Sequence, residues 1–153
     1  MPPEAPRYTG ADVSVVIPAW RAAETIGRAL AGIGAQSVKP GEVIVVDDGS
    51  PDGTAKATEA AAGLLNGDPL KVLRQKNAGA GAARNRGIEA ARGALLAFLD
   101  ADDEWLPAKL ERSIERLNAT GAVLVAHDGW IVAADGTATL NETARRFAAG
   151  GFD

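Results

Sequence analysis

Two acidic clusters carry the densest potential chemistry in this sequence, Asp47-Asp48 and Asp100-Ala101-Asp102-Asp103. Each follows directly on an apolar run, Val43 to Val46 and Ala94 to Leu99. Carboxylates this close repel one another, and a divalent cation relieves that repulsion. The chain has no cysteine and one histidine, so hard oxygen ligands point to Mg²⁺ or Mn²⁺ rather than zinc. A cation held by one or two carboxylates completes its shell with water and phosphate oxygens, which points to a pyrophosphate-bearing ligand. In extended geometry residues i and i+2 share a side, so Asp100 and Asp102 can enter one crevice together. The competing reading makes them solvated loop acids, or caps for a helix opened by Pro107. Spacing alone does not choose. Asp48 is open in the same way: an acid ending the second strand of a βαβ unit accepts hydrogen bonds from a ribose or base, or it caps the helix after Ser50.

Three further segments surround these acids. The first strand-to-helix turn, Pro18-Ala19-Trp20-Arg21-Ala22-Ala23-Glu24, has no glycine for close approach to a pyrophosphate, so phosphates are not held there as in dinucleotide folds. Trp20 can stack on a planar base or simply cover a helix end. Asn77-Ala78-Gly79-Ala80-Gly81 opens an Ala-rich helix that carries Arg84-Asn85-Arg86. Its N-terminus favours an anion, and Lys76 and Arg84 add positive charge; Arg86 and Arg92 read as a solvated basic face. His127 has no spaced partner and reads as structural. Trp105 and Trp130 read as packing residues. Gly87 inside a helix weakens it and so implies a close approach of another element.

The elements that must position these residues follow from periodicity. Val13 to Ile17 and Glu42 to Val46 are nearly continuous apolar runs, as in strands covered on both faces. Pro18 is expected to stop the first. Ile26, Leu30 and Ile33 form one helical stripe that ends at Gly34 and Gln36-Ser37. Ser50 at the N-cap and Pro51 at N1 predict a helix reaching about Leu65. Leu70 to Arg74 is a shorter strand, and the Ala-rich helix is expected to end at Arg92 with Gly93 beyond it. Ala94 to Leu99 is another strand. Pro107 opens a helix carrying Leu110, Ile114 and Leu117 that Gly121 closes. Val123 to Val125 and Trp130 to Val132 read as strands, Asp135-Gly136 as a turn, and nothing from Thr139 onward has a clear pattern. The order β-α-β-α-β-α-β-α-β-β predicts an α/β fold, a three-layer α/β/α arrangement around a mostly parallel sheet. Right-handed crossovers bring every strand-to-helix loop to one edge, where ligands bind.

Bulk properties limit the partners. The chain has 153 residues, 46% hydrophobic and 24% charged, with a net charge of −4. That is one globular domain without the basic face of a nucleic-acid binder. The absence of cysteine fits a reducing compartment. No apolar run approaches membrane-spanning length, and Met1-Pro2-Pro3-Glu4-Ala5-Pro6 has no signal-peptide core.

Taken together, Val13 to Trp20, Val45-Val46-Asp47-Asp48-Gly49-Ser50, Asn77-Ala78-Gly79 with Ala83-Arg84-Asn85-Arg86-Gly87, and Phe98-Leu99-Asp100-Ala101-Asp102-Asp103 with Trp105-Leu106-Pro107 resemble glycosyltransferase family 2 in order and spacing. The resemblance covers roughly residues 12 to 135. It implies a GT-A fold, whose nucleotide-binding half is Rossmann-like, and inverting transfer of a sugar from a nucleoside diphosphate sugar to a hydroxyl acceptor on a glycan, a lipid or a cell-surface polysaccharide. Pro18, Ala19 and Trp20 would line the nucleotide pocket, with Glu24 close by. Asp48 would contact the base or ribose, and Asn77, Gly79 and Arg84 would lie near the nucleotide or its phosphates. Asp100-Ala101-Asp102 would be the D-x-D motif, with Asp102 the main ligand of Mg²⁺ or Mn²⁺ and Asp100 on the ribose or in the metal shell.

The resemblance divides the chain into a loose lead-in over 1–11, a nucleotide-sugar-binding domain over 12–135, and over 136–153 the start of an acceptor-side region. Family members run on well past 153 residues, and the general base is expected beyond Asp153; Gly150-Gly151-Phe152-Asp153 is similar to a string that precedes the family's acidic pair. Asp128 and Asp135 sit in no recognisable context. The expected location is cytoplasmic, with peripheral contact at the inner face of the membrane through the region beyond the chain. The alternative function is a module that holds a nucleotide sugar without turning it over. Sugar nucleotidyltransferases share the architecture but need a Gly-rich first loop, which Pro18 to Glu24 lacks.

Overall fold

The β-branched runs form the centre of the sheet. In a computed structural model of the chain, which describes residues 8–142, Val13–Ala19 (β1) and Glu42–Asp47 (β2) pair in parallel with Ile17 opposite Val45 and Ala19 opposite Asp47. Leu70–Arg74 (β3) adds to the far side of β2 and Leu95–Phe98 (β4) to the far side of β1, giving the order β3-β2-β1-β4, all parallel. Residues 1–7 and the Gly150 to Asp153 string lie outside the described residues.

Side-chain alternation then divides the core into two layers. Val13, Val15, Ile17, Val43 and Val45 face the helix Ile26–Gly34 (α1), where Ile26, Leu30 and Ile33 form the expected stripe, together with Leu65, Trp105, Leu110 and Ile114. Ile44 and Val46 face the opposite way, onto Ala83 of the helix Ala80–Ala90 (α3). A Cβ at Gly87, one turn further along α3, would overlap Val16 Cγ1. The helix therefore rests its backbone against β1, the close approach that a mid-helix glycine implies.

Several boundaries differ from the sequence reading, each for a local reason. Pro18 does not stop β1, which continues to Ala19. Val16 O accepts from Leu99 N, and by alternation the Pro18 nitrogen faces the same β4 side, where the ladder ends at Phe98. No strand hydrogen bond is lost there. The second helix begins at Thr54 rather than after Ser50 (α2, Thr54–Ala60), followed by a 3-10 turn over Ala62–Leu65. Its first N–H is capped by Asp52 Oδ1, while the Ser50 hydroxyl is taken by Arg21. The helix after Pro107 starts at Lys109 (α4, Lys109–Thr120) and is closed by Gly121 at φ 64°, as expected.

Gly93 does not follow the end of a helix. Ala90 is the last residue of α3, and Gly93 sits where a Cβ would overlap Asp12 O and Ser14 N. Beside it the buried Glu42 ties three elements together: Ser14 Oγ and Arg92 N both donate to Glu42 Oε1 at 2.7 Å, and Gly93 N donates to Ser14 Oγ at 2.8 Å. Burial pushes the Glu42 carboxyl up, but these bonds and the charge of Arg92 outweigh it and hold it below the usual range. Arg92 is solvated as expected, its side chain 79% exposed, and it also pairs with Glu42 at 3.5 Å.

At the ends of the described chain, residues 8–11 are less loose than a lead-in: Tyr8 N donates to Asn118 Oδ1 and Asn118 Nδ2 to Tyr8 O, both at 2.9 Å. Val123 to Val125 form no strand. The pairing goes instead to Gly129–Val132 (β5) and Ala138–Asn141 (β6), an antiparallel hairpin in a stretch that offered no sequence pattern beyond Thr139. The Asp135-Gly136 turn closes it, with Gly136 at φ 83° and Asp135 Oδ1 accepting from Thr137 N. Trp130 is 61% exposed on this hairpin and is not a packing residue among the described residues, whereas Trp105 is buried. No described helix is long and apolar enough to cross a membrane.

Candidate functional site

The parallel sheet delivers four loops to its carboxyl edge. The loop after β1 begins with Pro18 and Ala19 still buried in the strand, then turns out at Trp20, which is 50% exposed. The Arg21 guanidinium stacks on the Trp20 ring, 4.5 Å from its centroid. Arg21 itself has φ 51°, a left-handed conformation uncommon outside glycine. Glu24 is exposed and, with Arg21, Ala23, Thr25, Pro51 and Asp52, lines an open depression of about 550 Å³.

The two acids ending β2 are both buried and serve different loops. Asp47 Oδ1 accepts from Ser50 N at 2.9 Å. Its Oδ2 is buried without an aligned hydrogen bond and faces Arg74 Nε at 3.2 Å, an ion-pair contact. Asp48 does not cap α2, the role taken by Asp52. It accepts from Gln75 Nε2 at 2.7 Å, Ala78 N at 2.9 Å and Gly79 N at 2.8 Å. Burial raises its carboxyl, but those donors outweigh burial and leave it below the ordinary value. Asp48 thus anchors the loop that starts α3. Gly49, at φ 74°, packs under the same loop, where a Cβ would lie 2.8 Å from Asn77 N. Asn77 and Gly79 remain exposed on the loop's outer side.

The second acidic cluster is a turn, not an extended segment. Asp103 N donates to Asp100 O at 3.1 Å, so the shared-side argument for residues i and i+2 does not apply. Ala101 is buried, and Asp100 and Asp102 on either side of it are exposed. Arg84 Nη2 donates to Asp100 Oδ1 at 2.6 Å. Asp102 has no hydrogen bond or ion pair among the described residues. Burial first, and then the charges of Asp102 and Asp100, push the Asp103 carboxyl up. Among the described residues no three or more His, Asp or Glu side chains converge as a cation site.

Of the sequence-predicted residues, Asp48, Arg84 and Asp100 are joined through α3. Asp48 holds the helix's leading loop, and the helix carries Arg84 across to Asp100. Lys76 is exposed near that loop, and the exposed His127 sits 3.2 Å from Asp128 O without touching these acids. Sequence reasoning missed Arg21, Ser50, Asp52, Thr54 and Gln75, all of which fix the loops. Asp52-Gly53-Thr54 did carry a signal, since a short acid two residues before a helical position is a capping pattern.

Comparison with known proteins agrees with this arrangement. The family model described as Glycosyl transferase family 2 matches residues 14–146. The succinoglycan biosynthesis protein ExoO of Rhizobium meliloti is 40% identical over 126 residues, spanning 82% of this chain and 35% of that protein. Among solved structures, S. aureus TarS 1-349 in complex with UDP-GlcNAc has a TM-score of 0.65 at 29% identity, covering 71% of this chain and 32% of that one. The mannosyltransferase PcManGT from Pyrobaculum calidifontis, in complex with GDP-Man and Mn2+, has a TM-score of 0.65 at 26% identity, covering 72% of this chain and 34% of that one. The chain spans about a third of the length of the curated relatives it matches, 35% in the first two. With its parallel α/β sheet in the GT-A arrangement, the chain belongs to glycosyltransferase family 2.

Proposed function

We propose that this chain is the donor- and metal-binding part, centred on residues 12–135, of an inverting glycosyltransferase that uses a nucleoside diphosphate sugar. The observation that carries the reading is the turn after β4, which leaves Asp100 and Asp102 exposed and pairs Asp100 with Arg84 of the helix whose leading loop Asp48 anchors. Solved relatives bind UDP-GlcNAc or GDP-Man, the second with Mn2+. The donor set here is carboxylate only, which suits a divalent cation that takes hard oxygen ligands. Asp102 would hold Mg²⁺ or Mn²⁺, with Asp100 in its shell or on the ribose. The cation would supply Lewis-acid stabilisation of the leaving diphosphate.

The chain's own residues bind and orient the donor. Trp20, rising from Pro18 and Ala19, offers a face for the base, with Glu24 at the rim. Asp48 shapes the floor through the loop bearing Asn77 and Gly79. Arg84 lies beside Asp100-Ala101-Asp102 and offsets phosphate charge. The acceptor is a hydroxyl of a glycan or lipid. Its oxygen bonds to the anomeric carbon as the bond to the diphosphate breaks on the opposite face, and its proton passes to a base expected beyond Asp153. Calorimetry with UDP, with and without Mn²⁺, tests the donor site: binding is expected to need the metal and to lose that dependence in Asp102→Ala. Equal affinity with and without Mn²⁺ would overturn the reading.

A further inference from the structure

Three consecutive backbone N–H groups of the loop after β1 are taken up by side chains of the segment that leads from β2 into α2. Arg21 N donates to Ser50 Oγ at 3.0 Å, Ala22 N to Thr54 Oγ1 at 2.9 Å and Ala23 N to Asp52 Oδ2 at 3.2 Å. The second Asp52 oxygen accepts from the Thr54 N–H at 3.2 Å and its hydroxyl at 2.6 Å. One carboxylate thus caps α2 and holds the facing loop at once. Ser50 is fixed from behind, its N–H donating to Asp47 Oδ1 and its carbonyl accepting from Arg74 Nη2 at 3.0 Å. The clamp is rooted in the buried end of β2.

This arrangement holds Arg21 where an unconstrained residue would not stay. A left-handed φ at a non-glycine residue is strained, and local strain persists only where surrounding contacts over-determine it. The left-handed turn at Arg21 lets the buried strand end at Ala19 while Trp20 stands half out of the protein under the Arg21 guanidinium. Released from Ser50, Thr54 and Asp52, Arg21 would relax toward negative φ and re-aim the indole.

We propose that Asp52, with Ser50 and Thr54, is a positioning device that sets nucleotide affinity by fixing the aim of Trp20. This rests on the donor-site reading above. None of the three residues needs to touch the nucleotide; each acts through the backbone of residues 21–23.

The test uses the whole chain labelled with 5-fluorotryptophan, whose Trp20 resonance is assigned by Trp20→Phe. Amide exchange at residues 21–23 and UDP affinity in Mn²⁺ are measured alongside. In Asp52→Ala and Thr54→Val, exchange at 21–23 is expected to quicken about tenfold, the scale of one lost hydrogen bond. The Trp20 resonance should shift or broaden before nucleotide is added, and UDP should bind about tenfold more weakly. Thr54→Ser keeps the hydroxyl and should restore all three readouts, which a general loss of stability would not do. Asp52 is exposed, so Asp52→Ala carries the test if the buried Thr54→Val does not fold. Unchanged exchange and an unmoved Trp20 resonance in Asp52→Ala would overturn the clamp. Altered exchange with unchanged UDP affinity would overturn its role in binding. If the wild-type chain binds no nucleotide, the donor-site reading fails, and the proposed control of affinity with it; exchange and the Trp20 resonance still decide whether the clamp aims the indole.

Discussion

Arg84 Nη2 lies 2.6 Å from Asp100 Oδ1, a contact that joins the helix after β3 to the turn after β4. Both side chains are partly open to solvent, at 38% and 51% exposure. An ion pair at that exposure contributes about 0–1 kcal/mol to stability, so its value lies in placement. Arg84→Ala is expected to lower the melting temperature by no more than about 4 °C while weakening UDP binding in Mn²⁺ at least tenfold, the scale of a lost charge-assisted hydrogen bond. A large loss of stability with unaltered binding would mean that the pair only braces the fold.

Gly87 sets how closely α3 approaches β1. A methyl group there meets Val16 Cγ1, and a β-branched side chain in a central strand has little room to turn away. Overpacking costs about 1–3 kcal/mol, against roughly 1 kcal/mol gained from alanine's better helix propensity. Gly87→Ala should therefore be net destabilising in urea unfolding. Gly87→Ala with Val16→Ala should be less destabilised than the sum of the two single changes; strict additivity would show that the two sites do not touch.

Asp48 gives the loop before α3 a pH dependence of definite sign. Its carboxyl is held below the ordinary value by Gln75, Ala78 and Gly79, which outweigh burial. A depressed folded-state value means the stabilisation is fully present above the unfolded value, about 3.9, and is lost as pH falls through the folded one. Amide exchange at Ala78 and Gly79 should stay slow down to about pH 4 and rise below it. In Asp48→Asn that exchange should be fast already at neutral pH and change little on acidification beyond the intrinsic rate.

The core layers and the acid positions were legible in the sequence because they depend on local pattern. Val13 to Ile17 and Glu42 to Val46 could only be strands covered on both faces, and Gly87 announced a close approach. What stayed hidden depended on partners distant in sequence. Pro18 is harmless because β4 ends before it, a fact of register. Ser50-Pro51 looked like a helix start until the Ser50 hydroxyl was spent on Arg21, leaving the cap to Asp52. Val123 to Val125 had β propensity but no strand partner among the described residues, whereas the turn at Asp135-Gly136 gave β5 a neighbour. At the site the acids and their place after β2 and β4 were legible, but not the loop contacts they make. The bonds from Ala78 and Gly79 to Asp48, and from Arg84 to Asp100, join loops that only the folded sheet brings together.

Lys109 offers a test of electrostatics away from the acidic edge. Its ammonium lies over the Trp105 ring, 3.8 Å from the centroid, at the first residue of α4. Burial lowers its pKa from 10.5 to about 8, and a positive charge at a helix N-terminus is unfavourable in the same sense. The aromatic face offsets part of this. For a lysine with a depressed folded value, the unfolded chain binds more protons between the two values, so stability rises with pH across that interval. Below about pH 8 the full penalty is present. Lys109→Met keeps the length and places sulfur on the ring, and it should stabilise the chain at pH 7 by about 1–3 kcal/mol. That gain should shrink as pH rises from about 8 toward 10.5, because the wild-type amine sheds its charge over that span. Urea unfolding of both proteins at pH 7 and pH 10 measures the difference. A gain that does not depend on pH would show that it comes from packing, with no contribution from the buried charge.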